Sequence, residues 1–236
     1  VSFLQRLLGG APRLDAELAT RLAGWQSLPE PLLDTPLELA RFLVIDVETT
    51  GLDPQRDELL SVGLVPAGLP GIELDGLSEL LLYRESAHLD RDNLVVHGIT
   101  PTESATGADA QQALMQVLER IGKGWLVAFH ADFDRIVLAR ALRRHLGMRL
   151  RNPFLDLAWL LPALYTQSNR QLRSLDDWLG HFGIEAPARH QASADALVTA
   201  ELLLIALMEA RRQKHLDVRA LGKLASAQAR LDNMMQ

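Results

Sequence analysis

The stretch Phe42–Leu52, "FLVIDVETTGL", decides the reading of this chain. It opens as Phe-Leu-Val-Ile, the signature of a buried strand, and then carries Asp46 and Glu48. Side chains two apart on a strand face the same side, so both acids project together from the end of a core strand. Two ionised carboxylates placed there repel each other and lose hydration, and they persist only where a cation or several donors compensate them. A divalent cation is the simplest compensation; a pair of surface acids on an edge strand is the alternative. The "TTG" that follows supplies a tight polar turn.

The pattern around this stretch predicts strands over Phe42–Val47, Leu59–Val65 and Glu79–Tyr83, separated by the turns "GLDPQRDE" and "PAGLPGIELDG". Beyond a long polar loop come a helix over Ala108–Ile121, a short strand in "WLVAFH", and a helix through "DFDRIVLARALRRHLG" closed by Gly147. Leu155–Leu164, Ser174–Phe182 and Ala192–Arg212 read as further helices. A three-stranded meander followed by strand and helix in alternation predicts an α/β sheet. Ahead of it, Phe3, Leu4, Leu7, Leu8, Leu14, Leu18 and Leu22 stand at helical spacing, interrupted by "GGAP" and "LPEPLLDTP". The expected organisation is a helical N-terminal extension over 1–40, a catalytic-sized domain over 41–212, and a helical tail over 213–236.

With 236 residues, 48% of them apolar, the chain can bury a full core. It contains no cysteine, so thiol nucleophiles, disulfides and thiolate metal sites are excluded, and any metal must be held by oxygen or imidazole. The 24 basic and 30 acidic residues give a formal charge of −6. That balance argues against coating nucleic acid by bulk electrostatics but allows a local grip on a strand end. No apolar run of membrane-spanning or signal-peptide length is apparent, and the expectation is a cytoplasmic protein with no membrane role.

Two further acidic segments stand beside apolar elements. In "VAFHADFDRIVL", Asp132 and Asp134 lie at a helix start, where acids are favoured as caps and by the helix dipole. Asp132 is the better cap candidate, while Asp134 can point back toward the strand end that carries Asp46. In "ARHQASADALVTAELL", a loop delivers His190 just ahead of a helix carrying Asp195. The small residues around Asp195 suit close packing, where an uncompensated carboxylate is costly.

Asp, Glu, Asp, His and Asp in this order resemble the DEDDh, or DnaQ-like, exonucleases, the branch that includes the proofreading subunit of bacterial replicative polymerases. "DVETTGL" is similar to the family's first motif, "HADFD" to its second, and "HQASAD" to its third. "VHGIT", Val96–Thr100, is similar to a further segment between the first two. The resemblance spans about Arg41 to Met208. It departs from the family pattern at Phe129 and His130, where His and Asn are usual.

The resemblance implies a ribonuclease H-like α/β fold, a mixed central sheet flanked by helices. It assigns metal binding to Asp46, Glu48, Asp134 and Asp195, and the general base to His190. Hard oxygen ligands suit two divalent cations, Mg²⁺ or Mn²⁺, which assist in-line displacement at a phosphodiester. Val47, Thr49, Gly51 and Leu52 are implied to line the site of the terminal nucleotide, with His97 and Phe133 nearby. The implied activity is 3′-to-5′ hydrolysis of DNA, single-stranded or frayed, releasing nucleoside 5′-monophosphates. An exoribonuclease or oligoribonuclease is the nearest rival, and a non-catalytic docking module on the same fold is a rival from another class. A polymerase, a repair complex or no protein partner all remain open.

Other features carry structural expectations. Asp156, Asp176 and Asp177 read as helix caps, Trp125, Trp159 and Trp178 as packing residues, and the arginines of "RIVLARALRRHLGMRLR" as a solvated helix face with phosphate attraction as the alternative.

Overall fold

A computed structural model describes residues 12–82, 108–166, 172–186 and 190–235. The expectations for Phe3, Leu4, Leu7 and Leu8, for Tyr83 and for His97 with its "VHGIT" segment lie outside these residues.

The apolar run at Phe42 forms strand β1, Phe42–Thr49, which pairs antiparallel with β2, Leu59–Gly68. The outer edge of β2 carries two short antiparallel strands, β3, Gly71–Ile72, and β4, Ser78–Leu81, joined by a 3-10 turn at Leu74–Gly76. On its other side β1 pairs in parallel with β5, Trp125–Ala128, which pairs in parallel with β6, Phe154–Asp156. The result is a mixed sheet, ordered β3-β2-β1-β5-β6 with β4 also on β2.

Alternation along β1 divides the core. Leu43, Ile45 and Val47 face a cluster with α1 (Ala16–Gln26), α2 (Ala110–Ile121) and α3 (Asp132–Leu146). Phe42 and Val44 face the opposite cluster, built with α4 (Leu157–Leu164), α5 (Leu175–Phe182), α6 (Ala192–Arg212) and α7 (Val218–Met235). Each face buries apolar surface against helices, the main favourable term in the fold. This is the ribonuclease H-like α/β arrangement expected.

Helix α1 docks through Leu18, Leu22 and Trp25, and Arg21 holds Glu119 on α2 through paired contacts at 2.8 Å. The following segment is tied to the chain's other end: Leu37 N–H donates to Leu216 C=O, and Val218 N–H donates to Thr35 C=O. Among the described residues no helix is long and apolar enough to cross a membrane.

Four local expectations are corrected. The helix expected from Leu155 begins at Leu157, because Phe154–Asp156 add a strand to the parallel edge first. Asp132 does not cap α3: Ala131 occupies the N-cap position without a side-chain bond, and Asp132 pairs instead with Arg135 at 2.8 Å. The cap of α5 is Ser174, in a reciprocal capping box with Asp177. The arginine run is only partly a solvated face. The Arg140 guanidinium donates to the carbonyls of Pro54, Arg56 and Asp57, and Arg144 pairs with Glu58 at 2.8 Å, so both tie the loop after β1 to α3. Trp178 is fully buried, and Trp125 and Trp159 pack half-buried against the same core cluster.

Candidate active site

The row that begins with Phe42 and Val44 continues along β1 as Asp46 and Glu48, so both acids face the helical layer that contains α6. Opposite them on β2 stand Gly63 and Ser61, whose small size leaves room above the strand pair. A register shift between Glu48 and Thr49 then turns the chain out of the sheet.

Asp195, in the first turn of α6, completes the group. Asp46, Glu48 and Asp195 each place a carboxylate oxygen within 4.8 Å of the others. Glu48 is 6% exposed and Asp195 7%, while Asp46 is half-buried. The start of α6 favours a negative side chain through its free amides and dipole. His190, with φ of 63° in the left-handed region, donates its backbone N–H to Asp195 Oδ2 at 3.2 Å, and its residue surface is exposed.

Asp134 stands beside this trio and is not part of its closest cluster. It approaches from α3, on the other face of the sheet, and the backbone amides of Asp134 itself and of Val47 lie close enough to its carboxylate to favour the charged form. Burial pushes its pKa well above the usual carboxylate range. The backbone donors oppose that shift, and the neighbouring Asp156 and Glu48 charges reinforce it.

Asp156 ends β6 and caps α4 through Ala158 N–H at 2.9 Å, as expected. It also accepts from the N–H groups of His130 and Ala131, each at 3.0 Å, a role absent from the sequence reading. These bonds hold the turn that leads into Asp134, with His130 at a left-handed φ of 62°. Burial raises the Asp156 pKa, opposed by these donors and by His130. An acid that ends a short apolar run, as Asp46 does, is the signal that marks it.

The residues implied for substrate contact separate by orientation. Val47 gives its side chain to the core, and its backbone amide lies beside Asp134. Thr49 is 2% exposed and donates its hydroxyl to Gly51 C=O at 2.5 Å. Gly51 lies against Asp57, where an added Cβ would stand 2.6 Å from Oδ2. Leu52 is 86% exposed at the loop tip, and Phe133 is half-buried against the core. The loop is shaped by Asp57, which accepts from Asp53 N–H at 2.7 Å and Thr50 Oγ1–H at 3.2 Å.

Three carboxylates converging from a strand end and a helix start could hold a metal ion, and oxygen donors without sulfur suit a hard divalent cation. The buried Ser61 Oγ, opposite Glu48, makes no hydrogen bond. Such an orphaned hydroxyl fits a pocket built around a polar guest.

A family model described as "Exonuclease" matches residues 43–203, well over half of the chain. The chain belongs to the exonuclease family. Within it, this exonuclease domain is 30% identical over 171 residues to a DNA polymerase III of PolC type from Thermotoga petrophila, covering 72% of this chain and 12% of that protein. It is 33% identical to a DNA polymerase III subunit epsilon-like protein of Rhodobacter capsulatus, covering 73% of this chain and 24% of that one. The chain thus spans a minor part of these relatives' lengths. Its fold is that of E. coli Exonuclease I solved with a dT13 oligonucleotide, at a TM-score of 0.62 and 18% identity over 75% of this chain and 43% of that one. The family read from the motifs at Asp46, Asp134 and Asp195 is the family found.

Proposed function

We propose that this chain is a 3′-to-5′ exonuclease that removes nucleoside 5′-monophosphates from DNA ends, single-stranded or frayed. The observation that carries the reading is the convergence of Asp46, Glu48 and Asp195 within 4.8 Å inside an exonuclease-family fold. Asp46, Glu48 and Asp195 would hold divalent cations, with Asp134 supporting them from the α3 side. When bound, a pair of Mg²⁺ or Mn²⁺ ions supplies the charge that stabilises the attacking and departing oxygens of an in-line displacement.

The chain's own groups do the remaining work. The His190 imidazole takes a proton from the attacking water, the general-base role for which imidazole is the commonest side chain. The water oxygen joins phosphorus as the bond to the 3′ oxygen of the preceding nucleotide breaks; that oxygen takes up a proton from solvent and leaves as a hydroxyl, and His190 returns its proton to solvent. The His190 backbone N–H fixes Asp195, so one residue orients a ligand and serves as base. Leu52 and Phe133 flank the terminal nucleotide without reading its identity, together with Val47, Thr49, Gly51 and His97.

The DNA polymerase III names of several relatives support DNA as the substrate and a polymerase as partner, and Ribonuclease T proteins among the relatives keep RNA as the rival substrate. Residues 41–212 form the nuclease domain in this reading, with 1–40 and 213–236 as helical additions. Single-turnover assays on 3′-labelled DNA and RNA of one sequence test it. The expected result is early release of a labelled 5′-monophosphate, faster from DNA; faster release from RNA would make the enzyme an exoribonuclease, and cleavage only at internal sites would refute the exonuclease assignment.

A further inference from the structure

Helix α6 starts without a cap of its own. Gln191 occupies the N-cap position and makes no side-chain capping bond, so the first amides of the helix need acceptors from elsewhere. One acceptor comes from a distant strand. Glu79 on β4 receives the Ser193 hydroxyl proton through Oε2 at 2.7 Å and the Ser193 N–H at 3.3 Å.

The place of Glu79 in the sheet gives this contact its meaning. Glu79 is the cross-strand partner of Gly63, and Gly63 is the cross-strand partner of Asp46. The three residues form one row across β4, β2 and β1. Over the middle of that row lies the start of α6: a Cβ on Gly63 would stand 2.1 Å from the Ala192 carbonyl oxygen and 2.6 Å from the Ser193 nitrogen. These are backbone atoms, so the glycine permits helix and sheet to touch where any side chain would hold them apart. Ala192 and Ala196, both fully buried, continue the close approach along the helix. Gly63 therefore sets the height of the first turn, and the Glu79–Ser193 bonds set its rotation. Asp195 follows Ser193 in the same turn and is carried to Asp46 and Glu48.

We propose that Glu79 is a positioning residue for the acidic site: it grips Ser193 over Gly63 and thereby places Asp195 against Asp46 and Glu48. The inference rests on the reading of that trio as a divalent-cation site. Glu79 is not itself a member of the trio. Its effect on cation affinity is that of an outer group which orients a ligand, typically worth about 10–100-fold.

The test is calorimetric Mn²⁺ binding to the full chain, with thermal unfolding in chelator measured alongside. Glu79→Ala is expected to weaken Mn²⁺ binding about tenfold. Glu79→Gln, which keeps an acceptor oxygen, is expected to restore most of it, and Ser193→Ala to fall between the two. A purely structural cap would lower the unfolding temperature of Glu79→Ala and leave Mn²⁺ affinity at the wild-type value; that result overturns the proposal. Should Glu79→Ala fail to fold, Ser193→Ala with wild-type affinity overturns it equally. Wild-type chain that binds no Mn²⁺ would instead remove the cation reading, and this proposal with it.

Discussion

His190 holds Asp195 through its backbone: the His190 N–H donates to Asp195 Oδ2 at 3.2 Å, while the residue remains exposed. Replacing the imidazole leaves that bond in place. His190→Ala should therefore lower kcat by about 10²–10⁴-fold, the usual contribution of a general base, with Mn²⁺ affinity unchanged. Asp195→Asn should lose both. Calorimetry paired with single-turnover rates separates the two variants, and equal loss of cation binding in His190→Ala would contradict the base assignment.

Asp134 stores instability in the cation-free chain. Its carboxyl is buried and its pKa is raised by that burial and by the Asp156 and Glu48 charges. A carboxyl with a raised folded pKa binds its proton more tightly in the folded chain than in the unfolded one. Folding stability then falls as pH rises from the ordinary aspartate value, about 3.9, through the folded one. Asp134→Asn keeps the size and an acceptor oxygen of the side chain and has no proton to lose. In chelator, its Tm advantage over wild type should grow with pH, by about 2–4 °C for each 1 kcal/mol, while hydrolysis falls. An advantage that is constant across that pH range would contradict the assignment of the raised pKa to Asp134.

Arg140 braces the loop that follows the paired acids. Its guanidinium donates to Asp57 C=O at 2.9 Å and Arg56 C=O at 3.2 Å, as well as to Pro54. Arg140→Ala should cost about 1.5–3 kcal/mol, the range for hydrogen bonds to a charged group. It should raise KM more than it lowers kcat, because the loop carries Gly51 and Leu52 and none of Asp46, Glu48, Asp134 or Asp195. Faster amide exchange at residues 53–58 would accompany the change, and unchanged exchange there would refute the bracing role.

Much of the site was legible because it obeys short periods. Asp46 and Glu48 share a face by the alternation of a strand, and Asp195 stands in a run of small residues that marks close packing. The sequence also places Asp134 at a helix start beside a strand end. Its position next to the trio depends on α3 and α6 packing on opposite faces of β1, which no local pattern encodes. Phe154–Asp156 is too short for its alternation to be seen ahead of an apolar helix, so Asp156 reads only as a cap. Asp132 looks like the natural cap for α3, yet the turn is held by Asp156 from a neighbouring strand, a contact made in three dimensions. The arginines of α3 follow the same logic: Arg140 and Arg144 read as solvated until the loop after β1 folds back onto them.

Gly63 extends this lesson to stability. A methyl group there meets the Ala192 backbone, and neither partner is the end of a flexible side chain. Gly63→Ala should destabilise the fold by about 1–3 kcal/mol, the range for overpacking. It should also separate α6 from β2. A variant with wild-type Tm would show that α6 can shift without loss.

Exonuclease action at the Asp46 site is tested by following 5′-labelled single-stranded DNA over time, with Mg²⁺, Mn²⁺ or chelator, for wild type and Asp46→Ala. A ladder that shortens one nucleotide at a time from the 3′ end, abolished by chelator and by the substitution, is the expected result. Intact substrate with every cation, or an undiminished ladder from Asp46→Ala, would contradict it.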